Sequence, residues 1–250
     1  MKFSKKNHEL FKINRLITIA ILLVFTTSVS AQWFGRVRGN GDMVTKTRNV
    51  GEYDKVSVGG SFDVKLYAGA EGKLTITVDE NLLEYLVTEV DNGKLKIKWK
   101  KGTNVSHRSK VLVTVPFKDI EAVSLAGSGD VYSEDVIKAD SFKTALAGSG
   151  DIKLEVDASS VNSSLAGSGD IALSGSANSL KCSIAGSGDI EAYDLSSNDA
   201  DIRISGSGGV KINVKDNLVA RISGSGNIYY KGNPKKQDVK VSGSGNVSSK

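Results

Sequence analysis

LAGSGDV, from Leu125 to Val131, is the stretch whose reading decides the fold. It returns as LAGSGDI at Leu146 to Ile152 and at Leu165 to Ile171, and as IAGSGDI at Ile184 to Ile190. Three looser copies follow: ISGSGGV at Ile204 to Val210, ISGSGNI at Ile222 to Ile228 and VSGSGNV at Val241 to Val247. The first glycines are 21, 19, 19, 20, 18 and 19 residues apart. So regular a period means stacked units, each too small to bury its own apolar face.

Each phrase is entered by an apolar alternation such as Phe142, Thr144 and Leu146 and left by another such as Ile152, Leu154 and Val156. A connector of Asp, Asn, Ser or Gly follows. Period-two alternation is the mark of half-buried strands. At about 3.3 Å per residue, roughly 19 residues make one turn of a coil, with coils about 4.8 Å apart as parallel strands. A propeller blade needs roughly 40 residues, twice what is available. The expected fold is therefore all-β: a right-handed parallel β-helix, or solenoid, over residues 119–250. A β-rich part over residues 32–118 precedes it.

If alternation runs through the phrase, its glycines face inward with Leu125 and Val131, where the coil is thin or its wall bends. These are Gly127, Gly129, Gly148, Gly150, Gly167, Gly169, Gly186, Gly188, Gly206, Gly208, Gly224, Gly226, Gly243 and Gly245. The positions between them stack outward in columns. One column holds Asp130, Asp151, Asp170 and Asp189, then Gly209, Asn227 and Asn246. Carboxylates about 5 Å apart repel by roughly 0.8 kcal/mol per pair in water. That is tolerable if each caps turn amides, and Asn in later units supplies the same acceptor without charge. Calcium in the column is the sharper alternative. Calcium-binding solenoids of this kind, however, use tandem nine-residue units, whereas here the period is twice that with one acidic position per phrase. The phrase lacks the Lys-Ser/Thr of a phosphate-cradling loop and leads into no helix pattern, so it implies no cofactor.

Upstream, VRGNGDM (Val37 to Met43) and VGGSFDV (Val58 to Val64) read as degenerate copies, the second with Phe62 in place of a glycine. From Asp79 to Val90, the residues Leu82, Leu83, Leu86, Val87 and Val90 recur at helical spacing, which predicts one short helix capped by Asp79. Asp91-Asn92-Gly93 predicts a turn that tolerates positive φ, followed by a strand with Leu95, Ile97 and Trp99 on one face. Lys96, Lys98 and Lys100 form its solvated face. Gly102 to Ser109 reads as a loop carrying His107, the one histidine beyond the leader. A single solvated loop histidine supports neither a metal cluster nor a catalytic triad.

Lys2, Lys5, Lys6, Lys12 and Arg15, the apolar run Leu16 to Phe25 and the small residues Val29-Ser30-Ala31 compose a secretory leader over residues 1–31. The run is shorter than the about 20 residues of a membrane span. With the leader go five of 33 basic residues and one of 28 acidic ones, leaving 28 against 27, a net of +1. Bulk charge therefore gives no reason to expect nucleic-acid binding. Cys182 is the only cysteine. It excludes a disulfide framework, no cysteine follows the leader to take a lipid, and its spacing makes it a small core residue.

The chain resembles the head GIN domain family of "putative auto-transporter adhesins". The residues that carry the resemblance are Tyr53-Asp54-Lys55-Val56-Ser57-Val58 leading into Gly60-Ser61-Phe62-Asp63-Val64, Asp79-Glu80-Asn81-Leu82-Leu83, Asn92-Gly93-Lys94-Leu95-Lys96-Ile97, and the iterated GSGD and GSGN phrases. The resemblance implies a stack of parallel coils in an exported protein of the Bacteroidetes type, with a binding role and no catalytic residues to carry over. No membrane barrel follows the repeats. The function expected is a non-enzymatic adhesin-like or envelope module, periplasmic, surface-exposed or secreted, whose regular polar face meets glycans or surface proteins. A structural protein self-associating through its solenoid ends is the first rival. A polysaccharide-cleaving β-helix enzyme is the second, but its acid and base need distinct environments and the Asp positions look equivalent.

Overall fold

The computed structural model describes residues 36–250. The expected leader lies outside them. The first described strand, β1 (Arg36–Arg38), is short, and β2 (Met43–Asn49) follows the Gly39-to-Asp42 loop. Then come β3 (Lys55–Gly60), β4 (Asp63–Ala68) and β5 (Lys73–Asp79), a 3₁₀ helix (Glu80–Tyr85), and β6 (Leu86–Asp91). Next are β7 (Lys94–Trp99), β8 (Asn104–Ser106) and β9 (Leu112–Phe117). The repeats supply β10 (Ala122–Gly127), β11 (Val131–Ser133), β12 (Ile137–Gly148), β13 (Ile152–Gly167), β14 (Ile171–Gly186), β15 (Ile190–Gly206), β16 (Gly209–Gly224), β17 (Asn227–Lys231), β18 (Lys236–Gly243) and β19 (Asn246–Ser249).

The glycine phrases lie one over another. Leu146 pairs with Leu165, Leu165 with Ile184, Ile184 with Ile204 and Ile204 with Ile222, all parallel. Each is at most 3 % exposed, so the solenoid core is a ladder of like residues, every rung contributing about 1.5–3 kcal/mol by burial. The connectors are not loops: β13, β14 and β16 each run 16 residues from one phrase to the next. Pairing lapses at Asp140, Ser159, Asn178 and Asn198, where these coils turn their far corner, and the register shifts again around Leu173 and from Tyr193 to Leu195.

The inward alternation holds, but what forbids a side chain at the glycines is not the interior. A Cβ at Gly150 would stand 1.9 Å from the carbonyl oxygen of Gly129, and one at Gly169 1.9 Å from that of Gly150. The forbidden direction runs along the stack into the coil beneath. Glycine is needed because two backbones approach there.

VGGSFDV is a true rung. Val58 pairs with Leu125, Gly60 with Gly127, and Val64 with Val131. Phe62 is admitted because the layer beneath, β7 and β9, is interrupted by residues 100–111. It fills that gap edge-on to Trp99, with centroids 5.4 Å apart. VRGNGDM is not a rung: β1 pairs only with β8, and β2 runs antiparallel to β5.

The expected helix is also corrected. Only Glu80–Tyr85 is helical, as 3₁₀, and Leu86–Asp91 is a strand antiparallel to β7. Asp79 makes no side-chain cap; its Oδ1 accepts from the Gly41 N–H at 2.9 Å. The β6–β7 turn has Asn92 at φ 50° and Gly93 at φ 72°, as the Asp91-Asn92-Gly93 run requires. Lys96 and Lys98 on that hairpin pair with Asp91 and Glu89 across it. The Gly102-to-Ser109 stretch contains β8, and His107 lies between the carbonyls of Ser61 and Ser109, each 2.9 Å from a ring nitrogen, with its ring N–H donating to one of them. It is a clip between β8 and the first rung rather than a freely solvated residue.

The two ends differ. β5, the 3₁₀ helix and β6 lie at one end, while among the described residues β18 and β19 at the other pair only with β16 and β17. Val239 and Val241 there are 40 % and 41 % exposed, although their partners one coil below, Ala220 and Ile222, are buried.

Candidate functional site

The acidic column is a hydrogen-bonded ladder. The N–H of Asp130 donates to Asp63 Oδ1, that of Asp151 to Asp130 Oδ1, that of Asp170 to Asp151 Oδ1, and that of Asp189 to Asp170 Oδ1, at 2.9–3.1 Å. Gly209 N–H closes the run on Asp189 Oδ1 at 2.6 Å, and the N–H of Asn246 repeats the contact on Asn227. Asp63, which anchors the ladder, holds Lys110 at 2.8 Å with its other oxygen. Sequence reading placed the column at Asp130; the rung status of VGGSFDV was the signal that extends it to Asp63. Asp130, Asp151, Asp170 and Asp189 each accept from the amide one coil on in the same way, so among these four no acid is set apart from a base. Among the described residues no three His, Cys, Asp or Glu side chains converge on a point.

Cys182 is fully buried, and burial pushes its thiol up to about 12. It stacks on Ser163, which stacks on Thr144, in one inward column. All three are buried.

A polar concave surface lies at the far corner of the coils, which the sequence presented only as connectors. A groove of about 810 Å³ runs there from Asp119 and Glu121 across Lys138, Asp140, Asp157, Ser159, Ser176, Asn178, Ser196 and Asn198 to Lys215. Its floor is Ala139, Ala158 and Ala177, whose small side chains keep the channel open. Ser176 Oγ donates to Asp157 Oδ1 at 2.6 Å, and Asn198 Nδ2 to Asn178 Oδ1 at 3.4 Å, so the walls are linked between coils. Four acidic residues against two lysines make the groove net negative. Its lining has no aromatic side chain, so it offers hydroxyl, amide and carboxylate groups at coil spacing rather than a stacking platform.

The opposite long face carries Ala126, Ala147, Ala166 and Ala185 in register and continues into Ser205, Ser223 and Ser242. Between its alanines runs a shallow, almost wholly apolar cleft of about 380 Å³ lined by Ala126, Ala145, Ala147, Ala166 and Ala185, which presents no convergent polar groups.

The family described as "Putative auto-transporter adhesin, head GIN domain" matches residues 52–234. A comparison with curated proteins finds no match. Among solved structures, a "putative lipid binding protein" from Parabacteroides distasonis is 30 % identical, with TM-score 0.70, covering 85 % of this chain and 99 % of its own. A "putative adhesin" from Parabacteroides merdae is 27 % identical with TM-score 0.64, covering 86 % and 99 %. A "putative adhesin" from Bacteroides fragilis is 22 % identical with TM-score 0.79, covering 86 % and 100 %, and shows the shared fold.

Proposed function

Because the chain belongs to the head GIN domain family of "putative auto-transporter adhesins", we propose that it is an exported, non-enzymatic module that holds an extended, hydroxyl-rich ligand, a surface glycan, along its far-corner groove. The single observation carrying this reading is the in-register polar wall of Asp140, Ser159, Asn178 and Asn198, one group per coil. A ligand with repeating hydroxyls gains one weak hydrogen bond per rung there, and many weak bonds in register sum to useful affinity. The negative balance of the groove disfavours polyanions. The names of the related structures all concern binding, which supports a binding role over catalysis. The leader at residues 1–31 and the family support export.

A glycan array probed with the purified protein tests the reading. Neutral polysaccharides are expected to bind, and Asp140→Ala combined with Asn178→Ala to weaken them about tenfold without changing the melting temperature. Failure of every polysaccharide to bind, or binding indifferent to both substitutions, defeats it. Protease shaving of intact cells reads surface exposure, which adhesion requires.

A second reading, self-association, rests on the β18 edge, where Val239 and Val241 are exposed. Lys231, Lys235, Lys236, Lys240 and Lys250 crowd that last coil, however, and charge on an edge opposes pairing with a copy of itself. A monomer by light scattering at physiological salt is expected, and a dimer lost on Val241→Lys would restore the rival.

A further inference from the structure

Among the described residues the β1–β8 ribbon is the one pair of strands outside the large sheet, and it gathers arginines. Six arginines lie among the described residues. Three are fixed by partners: Arg48 donates to the carbonyls of Leu83 and Leu86, Arg203 to Asp201, and Arg221 to Asp238. The other three, Arg36, Arg38 and Arg108, have no ion pair or side-chain hydrogen bond with any described residue, and all three belong to this ribbon or its immediate extension.

The ribbon's register explains why they gather. Val37 pairs with Val105, and both pack toward the core. Alternation therefore sends Arg36 and Arg38 of β1, with Asn104 and Ser106 of β8, to the outer face. Arg38 sits opposite Ser106, and Arg108 follows two residues on. Arg38, Gly39, Ser106 and Arg108 line a cavity of about 200 Å³. One carboxylate, Asp79, is fully buried behind Gly39; its Oδ1 accepts from the Gly41 N–H, and its Oδ2, the atom closest to Gly39, has no hydrogen-bond partner among the described residues.

We propose that this cavity is an oxyanion site, taking a phosphate or sulfate group either free or carried on a polysaccharide. Guanidinium groups match tetrahedral oxyanions with paired N–H donors, and unpaired like charges side by side are relieved by such a guest. The Ser106 hydroxyl adds a neutral donor on the cavity wall. The net charge of +1 left beyond the leader does not contradict this, because the site is local. It is separate from the far-corner groove and independent of the glycan reading.

Titration calorimetry of the purified protein with inorganic sulfate and inorganic phosphate, and with dextran sulfate against neutral dextran, tests the proposal. Binding of the small ions is expected to fall at least tenfold in Arg108→Ala and in Arg38→Ala, with the urea midpoint unchanged. Arg108→Lys, which keeps the charge but not the fork, is expected to recover only part of it. Lys235→Ala with Lys236→Ala, at the other basic end, should leave binding unaltered. Small ions alone binding assigns the site to free oxyanions, and dextran sulfate sharing the Arg108 dependence assigns it to a polymer-borne group. No binding of either, full rescue by lysine, or equal losses from the Lys235 and Lys236 changes overturns the proposal.

Discussion

The backbone N–H of Asp170 donates to Oδ1 of Asp151, 2.9 Å away in the coil beneath. A column that looks like accumulated repulsion is thus a row of charge-assisted hydrogen bonds. Each is worth about 1.5–3 kcal/mol, against roughly 0.8 kcal/mol of repulsion between neighbours in water. A neutral acceptor gives a weaker bond but also removes the repulsion, so the two changes offset one another and Asn227 serves Asn246 in the same way.

Asp151→Ala, which leaves the Asp170 amide without its acceptor, is expected to lower stability by about 1–2 kcal/mol in urea unfolding. Asp151→Asn should stay within about 0.5 kcal/mol of the parent, because the amide oxygen takes over. Neither calcium nor a chelator should move the melting temperature. A calcium-dependent rise that Asp151→Asn abolishes would assign the column to a metal.

Gly169→Ala places a methyl 1.9 Å from a backbone oxygen of the coil beneath, and backbone cannot rotate away as a side chain can. A loss of about 3 kcal/mol or more is expected, at the severe end for a single methyl. Gly41→Ala is the control. It has φ of +90° but nothing within 4 Å of the new atom, so only backbone strain of about 1 kcal/mol applies. Equal losses at the two sites would refute the stacking account of the phrase.

The phrase was legible because its period is written in identical residues, and period alone dictates stacking. The groove was not, because Asp140, Ser159, Asn178 and Asn198 are each ordinary turn formers and only superposition makes them a wall. Steps of 21, 20 and 18 residues further blur that alignment in the sequence. Leu82, Leu83, Leu86, Val87 and Val90 read as a helix face because short apolar runs fit either period. Pairing of Leu86 with Trp99 and Val90 with Leu95 in the hairpin overrode the local pattern. The oxyanion cavity needed Arg38 and Arg108 brought together across 70 residues of chain, a juxtaposition no spacing announces.

Thr144 Oγ1 and Ser163 Oγ are buried without a hydrogen-bond partner, in the column that Cys182 continues. A buried hydroxyl with no partner costs about 1–3 kcal/mol. Thr144→Val, equal in shape, and Ser163→Cys, copying the next rung, are therefore expected to stabilise the fold by about 1 kcal/mol each. Thermal melts of the two variants would expose the opposite sign if either hydroxyl has an unseen partner.

Cys182 is sealed in the core, with its thiol pushed up to about 12 by burial. The thiolate is the reactive form, so the native protein should resist alkylation by iodoacetamide at pH 8 and react within minutes in denaturant. Labelling at the same rate in both states would show that the coils open far more often than a packed stack allows.

Tyr53 gives the pH dependence. The residue is 4 % exposed, and its hydroxyl donates to the carbonyl of Pro116. Burial first, then the charges of Glu71 and Tyr67, hold the phenol well above its usual range. An unfolded tyrosine ionises near 10, so the stabilising difference is intact below pH 10 and is lost as pH climbs from there toward the folded value. Tyr53→Phe, missing one hydrogen bond, should be about 1 kcal/mol less stable at pH 7, yet decline less steeply above pH 10. Urea midpoints from pH 7 to 11 would then converge for the two proteins. Parallel curves throughout would mean that the phenol ionises in place without disturbing the β4–β9 layer beneath the first coil.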